Sequence, residues 1–226
     1  MSERENILGR IRAALRTPAA RPQPHRGQGP EAATGPVSVR DLLPAVGRDR
    51  EENLALFHKN ALELRADFRL VKDWAELLAD LKQLAVTEKW SRIASHRGDL
   101  TEAACQALAL PTLLADGHQD KRALEQCDAG LTECDALVAH TGSVLVTSRS
   151  AGGRALSVLP PHHVVLARRE QLLPGLPDAF ALLKARYDGN YPSMISFITG
   201  PSRTGDIERI LVLGAHGPKK LTIYCL

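Results

Sequence analysis

Gly200-Pro201-Ser202-Arg203-Thr204-Gly205-Asp206-Ile207-Glu208 lies between two apolar runs, residues 194–198 and 210–213. The runs predict a strand before the segment and a strand or helix after it. Backbone N–H groups at a glycine-containing turn point outward, hydroxyls add donors, and a guanidinium binds a phosphate or carboxylate through two bonds. The segment therefore predicts a small-anion site formed by Gly200, Ser202, Arg203, Thr204 and Asp206.

A purely structural role fits the same segment. Ser202 or Thr204 would satisfy the first N–H groups of a helix, and Arg203 would pair with Asp206 or Glu208. The sequence leaves both interpretations open.

Three further polar turns follow apolar runs or glycines. Ligands in open α/β sheets bind beyond strand ends, so turns that meet at one edge of the sheet would form a cleft. Such a cleft would hold two arginines, several hydroxyls, one carboxylate and one histidine. Its remaining members would be Thr141, Gly142, Ser143, Arg154, His216 and Gly217. As alternatives, His216 would bond to a neighbouring loop and Asp206 would cap a turn or hold Arg203.

The ordered set of Thr141-Gly142-Ser143, Arg154, Gly200 to Glu208 and His216-Gly217-Pro218 resembles the LUD-domain family, and within it the LutC/YkgG group. The resemblance covers residues 50–226. It implies an α/β fold of the kind shared by sugar-phosphate isomerases and CoA-transferases (NagB/RpiA/CoA-transferase-like). The sequence departs from the resemblance at His140, where many members carry glutamate.

The resemblance also implies a function. It points to a non-redox subunit of a bacterial system that oxidises L-lactate to pyruvate, with iron–sulfur clusters on partner subunits and no cofactor on this chain. An independent isomerase or transferase acting on a small phosphorylated or carboxylated metabolite is one alternative. A ligand-sensing or scaffold protein is another. The sequence contains no Walker loop, G-x-G-x-x-G or G-x-S-x-G motif.

Composition narrows the class of protein. The net charge of +3 over 226 residues is too small to predict nucleic-acid binding. No apolar run approaches the ~20 residues of a membrane span, and the N-terminus does not resemble a signal peptide. The four cysteines have no C-x-x-C spacing, which argues against a cluster or zinc site and favours reduced thiols. We expect a cytoplasmic protein.

Three regions follow one another along the chain. Residues 1–16 predict an amphipathic helix that begins at Ser2 and carries Ile7, Ile11 and Leu15 on one stripe, which we expect to contact a partner subunit or a second protomer. Residues 17–46 are rich in proline and glycine and predict a linker. From residue 47, alternating helix and strand patterns predict a mostly parallel sheet covered on both faces.

Two apparent reactive groups have simpler explanations. Adjacent residues of a strand face opposite sides, so His162 and His163 cannot chelate one ion, and we expect them to be structural. Cys134 lies near a turn, but no basic residue beside it in sequence would lower its pKa. No metal site is predicted.

Overall fold

The computed structural model describes residues 3–16, 45–116, 120–205, 211–213 and 216–226. The chain divides into two compact units, residues 1–42 and 43–226. The described part of the first unit is helix α1 (Glu3–Arg16), in which Ile7 and Leu8 are exposed. The predicted cap Ser2, the side chains of Ile11 and Leu15, and residues 17–44 of the predicted linker lie outside the described parts.

The second unit contains five helices and twelve strands in its described part. The helices are α2 (Arg50–Glu63), α3 (Trp74–Thr87), α4 (Asp99–Leu108), α5 (Lys121–Glu125) and α6 (Leu176–Tyr187). The strands are β1 (Asp67–Leu70), β2 (Ile93–Ser95), β3 (Thr112–Leu114), β4 (Ala129–Thr132), β5 (Ala136–Val138), β6 (Ser143–Thr147), β7 (His162–Ala167), β8 (Leu172–Leu173), β9 (Ile195–Ile198), β10 (Arg203–Gly205), β11 (Leu211–Leu213) and β12 (Lys220–Cys225).

Six strands form the predicted parallel sheet, in the order β1-β12-β7-β4-β2-β3. A second sheet has the order β8-β5-β6-β9, and in it β6 runs antiparallel to both β5 and β9. The hairpin predicted around residues 140–143 is therefore confirmed as the connection between β5 and β6. The α/β fold class is confirmed as well.

Apolar side chains alternate along the central strands and so divide between two layers. Val164 and Leu166 of β7 pack with α3 and α4 on one face of the parallel sheet. Val165 and Ala167 face the other side, where α2 and the second sheet cover them. Helix α6 covers the outer face of the second sheet. Both faces of the parallel sheet are thus buried, which is why its strands are almost continuously apolar.

Local signals set the helix boundaries. The Asp73 carboxylate accepts the Glu76 N–H at 2.8 Å and so caps the start of α3. Helix α2 begins in the same way, with Asp49 accepting the Glu52 N–H at 2.8 Å. The helical spacing of apolar residues continues from Leu54 to Phe68, but the helix does not. The helix ends at Glu63, because Arg65 takes a left-handed φ of 63°, and Phe68 lies in β1.

Candidate functional site

The middle of the Gly200 segment, residues 203–205, is a strand rather than a turn. Arg203 to Gly205 form β10, which pairs antiparallel with β11 so that Arg203 is opposite Leu213. The Arg203 side chain is exposed. Asp206 and Glu208 lie outside the described residues, so the pairing of Arg203 with either carboxylate stays a prediction, as does the site role of Asp206.

The first half of the segment contacts the His216 turn. The Ser202 N–H donates to the Pro218 carbonyl at 2.8 Å. A Cβ atom on Gly217 would lie 3.1 Å from the Ser202 Cβ, so the two segments are in contact. The His216 side chain is exposed. Arg203 and His216 are therefore presented by segments that lie side by side.

Gly200 brings this region against the end of α2. Its φ of +85° is in the left-handed region, and a Cβ there would lie 2.6 Å from the Leu64 carbonyl oxygen. Glycine avoids both the backbone strain and the collision. The role of Gly200 that the structure shows is close packing.

Thr141, Gly142 and Ser143 lie at the same end of the second sheet. The Ser143 hydroxyl is 2.8 Å from that of Thr199, and the Thr141 hydroxyl donates to the Val138 carbonyl at 3.4 Å. A Cβ on Gly142 would meet the Ala61 nitrogen of α2 at 2.8 Å. These contacts are internal, and Ser143 is buried.

Asn60 of α2 ties this turn to the helix. Its amide group donates to the carbonyls of Ala139 and His140 at 2.9 and 3.0 Å. The His140 N–H donates to the Pro174 carbonyl at 3.1 Å. His140 Nδ1 is buried without a hydrogen-bond partner among the described residues and faces Gly175, which precedes α6.

Arg154 lies elsewhere, so the structure does not bring it together with the turns that hold Ser143 and Arg203. Its guanidinium donates to the carbonyl and hydroxyl oxygens of Ser193 at 2.8 and 3.2 Å. Ser193 precedes β9 and Thr199 follows it, so Arg154 and Ser143 lie at opposite ends of the β6–β9 pair. The five residues of β6 span roughly 16 Å. The separation of Arg154 from Ser143 follows from antiparallel pairing, because the segments that precede and follow an antiparallel strand lie at opposite ends of the sheet.

The carboxyl edge of the parallel sheet holds residues that the sequence analysis missed. His96 follows β2 and Glu133 follows β4, and these neighbouring strands continue toward opposite faces of the sheet. Open α/β sheets bind ligands at such a point. The signal in the sequence was a polar residue directly after each buried strand.

Internal hydrogen bonds occupy both of these side chains. The Glu133 N–H donates to His96 Nε2 at 3.0 Å, which leaves the ring proton on Nδ1, 3.0 Å from the Arg97 carbonyl. A Glu133 carboxylate oxygen accepts the Leu100 N–H at 2.8 Å and so caps α4, whose own N-cap residue is Gly98. The anion position at this helix N-terminus is filled by the protein itself.

The histidines of β7 are structural, as predicted. The Nε2 atoms of His162 and His163 lie 2.9 Å from the hydroxyls of Thr222 and Thr132, on different neighbouring strands. Burial lowers the pKa of His162 to about 4 and that of His163 to about 3. Both rings are therefore neutral at physiological pH.

Burial disfavours the thiolate form of all four cysteines. Burial raises the pKa of Cys134, and it raises that of Cys225 to about 11. Burial also raises the pKa of Cys105 and Cys127. Among the described residues, no group of three or more His, Cys, Asp or Glu side chains is placed to hold a metal ion.

Comparison with known proteins identifies the family. The model of the LUD domain matches residues 36–226. The chain belongs to the LUD domain family. Within the described residues, no helix has the length and apolar character needed to cross a membrane.

Two curated relatives are both named Lactate utilization protein C. The protein from Geobacillus kaustophilus is 38% identical over 106 residues, which are 46% of this chain and 44% of the relative. The protein from Bacillus licheniformis is 35% identical over 108 residues, 47% of this chain and 45% of the relative. The chain therefore spans about half the length of the curated relatives it matches.

A solved structure shares the fold of this LUD domain. It is a DUF162 family protein from Deinococcus radiodurans, with 21% identity and a TM-score of 0.62 over 79% of this chain and 99% of that one. At this level of identity the likeness shows the fold alone.

Proposed function

We propose that this chain is a non-redox subunit of a bacterial L-lactate utilisation system, in which L-lactate is oxidised to pyruvate together with iron–sulfur partner subunits. The observation that carries the proposal is membership of the LUD domain family together with the names of the relatives. The fold supports a ligand-binding or assembly role, because parallel α/β sheets present loops for both.

The proposal places the iron–sulfur clusters on the partners. Cluster ligation requires thiolates that converge on the iron atoms. Here Cys105 lies on α4, Cys134 follows β4 and Cys225 ends β12, and among the described residues no group of three or more His, Cys, Asp or Glu side chains converges on one point. The placement of these thiols supports a chain whose clusters lie on its partners.

The proposal assigns recognition of a small anion to the region where β10 meets the His216 turn. Arg203 contributes an exposed guanidinium beside Ser202, and His216 is exposed on the adjoining segment. An Arg–carboxylate pair with two charge-assisted bonds gives orientation as well as attraction.

Growth on L-lactate tests the pathway role. A strain that lacks this chain should fail on L-lactate and grow normally on glucose, and the wild-type gene should restore growth. The chain should co-purify from the native host with proteins that contain iron, while remaining colourless when purified alone. Normal growth of the deletion strain on L-lactate would overturn the role and favour an independent isomerase or transferase.

A further inference from the structure

A loop with two arginines follows β6. It comprises residues 148–154 and reads Ser-Arg-Ser-Ala-Gly-Gly-Arg. A Cβ atom on Gly152 would lie 2.3 Å from the His96 Cβ, and one on Gly153 would lie 4.0 Å from the Ala115 carbonyl oxygen. His96 follows β2 and Ala115 follows β3, so the loop rests on the carboxyl edge of the parallel sheet, where α/β folds bind ligands.

Hydrogen bonds within the loop hold its backbone. The Thr147 N–H donates to the Ser150 hydroxyl at 2.9 Å, and the Thr147 carbonyl accepts the Ala151 N–H at 3.0 Å. The Gly153 N–H donates to the Ser148 carbonyl at 3.0 Å. The side chains of the loop therefore project from a fixed backbone.

Both arginines of the loop are held by the segment that leads into β9. Arg149 donates to the Asn190 side-chain oxygen at 3.0 Å, and its guanidinium carbon lies 5.3 Å from the centre of the Tyr187 ring. Arg154 donates to the carbonyl and hydroxyl oxygens of Ser193 at 2.8 and 3.2 Å. These contacts orient the two guanidiniums before any ligand arrives, which lowers the entropy cost of binding.

The residues that hold the two arginines are close to each other. Asn190 and Ser193 are three positions apart, and three residues of extended chain span at most about 11 Å. The Ser193 hydroxyl also donates to the Ser148 hydroxyl at 3.2 Å, which ties the start of the loop to the same segment. Both guanidiniums therefore lie beside one short piece of chain.

The charges of Arg149 and Arg154 are not neutralised by the groups that hold them. Those groups are an amide oxygen, a carbonyl and a hydroxyl, and all three are uncharged. Within the described ranges, no carboxylate forms an ion pair with either arginine, whereas the nearby Arg186 is paired with the buried Asp135 at 2.6 Å. Each guanidinium has five N–H donors, of which Arg149 uses one and Arg154 uses two.

We propose that Arg149 and Arg154 together bind a phosphate monoester. A phosphate group concentrates a charge close to −2 and three acceptor oxygens at one point, which suits two cations beside one short segment. A dicarboxylate spreads the same charge over two separate groups. The Ser148 hydroxyl, which accepts from Ser193, keeps its own proton for a ligand oxygen. This site is independent of the pathway role and of Arg203.

The test is a calorimetric titration of the full chain, with NMR to locate the site. Glycerol 3-phosphate should bind and shift the backbone resonances of Arg149, Arg154 and Ser193. Inorganic phosphate should shift the same resonances and bind no more tightly than the ester. Succinate and L-lactate should bind at least about tenfold more weakly than glycerol 3-phosphate.

Substitutions make the test specific. Arg149→Gln and Arg154→Gln should each weaken binding of glycerol 3-phosphate about ten- to hundredfold, and both variants should fold because the two side chains are exposed. Ser193→Ala should have a smaller effect, since the Ser193 carbonyl still holds Arg154. Arg122→Gln, at an exposed position on α5, should leave binding unchanged.

Four results would overturn the proposal. They are unmoved resonances with glycerol 3-phosphate, full binding by both arginine variants, succinate binding equal to that of the ester, and inorganic phosphate binding more tightly than the ester. Loss of growth on L-lactate plays no part in this test, so the phosphate site and the pathway role can fail separately.

Discussion

At the scale of single residues, glycines fix how closely the segments around the Arg203 hairpin approach α2. Gly142 and Gly200 both have positive φ, and at both a side chain would collide with backbone atoms of the helix or its end. Gly189 has a similar φ of +82° but nothing within 4 Å of its missing Cβ. Gly189 therefore reports backbone strain alone, whereas Gly142 and Gly200 combine strain with close packing against α2.

Replacement of these glycines should therefore have unequal effects. Gly189→Ala carries only the left-handed strain and should lower the free energy of unfolding by about 1–2 kcal/mol. Gly200→Ala adds a contact at 2.6 Å with the Leu64 carbonyl and should cost roughly 2–5 kcal/mol. Chemical denaturation of both variants measures the difference. Equal losses would show that Leu64 moves aside freely.

Arg203 is the residue that best separates the two interpretations of the Gly200 segment. Because its side chain is exposed, Arg203→Ala should leave the fold intact. If the Arg203 guanidinium binds an anion through two hydrogen bonds, the affinity of the Arg203→Ala chain for that anion should fall by ~30- to 1000-fold. Arg203→Lys should restore only part of it, since lysine lacks the planar fork.

The alternative for Arg203 has a different outcome. A surface ion pair with Asp206 or Glu208 would contribute under about 1 kcal/mol to stability. A strain that carries only the Arg203→Ala protein would then grow normally on L-lactate, and the small-anion role would be wrong. Arg122→Ala serves as the matched exposed arginine.

At the scale of elements, the sequence predicted alternating helices and strands, because their periodicity is local. Short strands such as β4 carry no such signal. β4 reads Ala-Gly-Leu-Thr, which is too short and too mixed to stand out. The sequence also placed Arg203 in a turn, because the pairing of β10 with β11 is not visible in either strand alone.

Strand β7 makes stability depend on pH. His162 and His163 have folded-state pKa values of about 4 and about 3, below the ordinary value of 6.5, because burial disfavours their charged forms. The unfolded chain therefore binds protons first as the pH falls. Stability is complete above about pH 6.5 and is lost as the pH falls toward the folded-state values, at up to about 1.4 kcal/mol per pH unit for each histidine.

Urea denaturation between about pH 7 and about pH 5 measures this slope. The groups facing His162 include Glu88 and Lys220, which oppose one another, so burial remains the main cause. His163→Gln should reduce the slope of the unfolding free energy against pH. The matched control is His58→Gln, at an exposed position, which should leave that slope unchanged. An unchanged slope in the His163 variant would contradict the assignment.

At the scale of the whole molecule, the fold class could be predicted and the arrangement of the site could not. Alternating helix and strand patterns suffice to predict a parallel sheet. Whether Arg154 and Ser143 meet depends on the antiparallel pairing of β6 with β9, which joins residues about fifty positions apart. The His96–Glu133 contact depends likewise on β2 and β4 being neighbours.

The division of the chain into units of residues 1–42 and 43–226 predicts the effect of truncation. Deletion of residues 1–36 removes α1 and leaves almost the whole length matched by the LUD domain, so the melting temperature should stay nearly constant. Retention of iron-containing partners in co-purification should fall, because we expect the apolar stripe of α1 to contact one of them. Leu77→Ala, at a fully buried position in α3, provides the scale of a core defect, roughly 5–15 °C. A drop of that size on truncation would show that α1 packs into the domain instead.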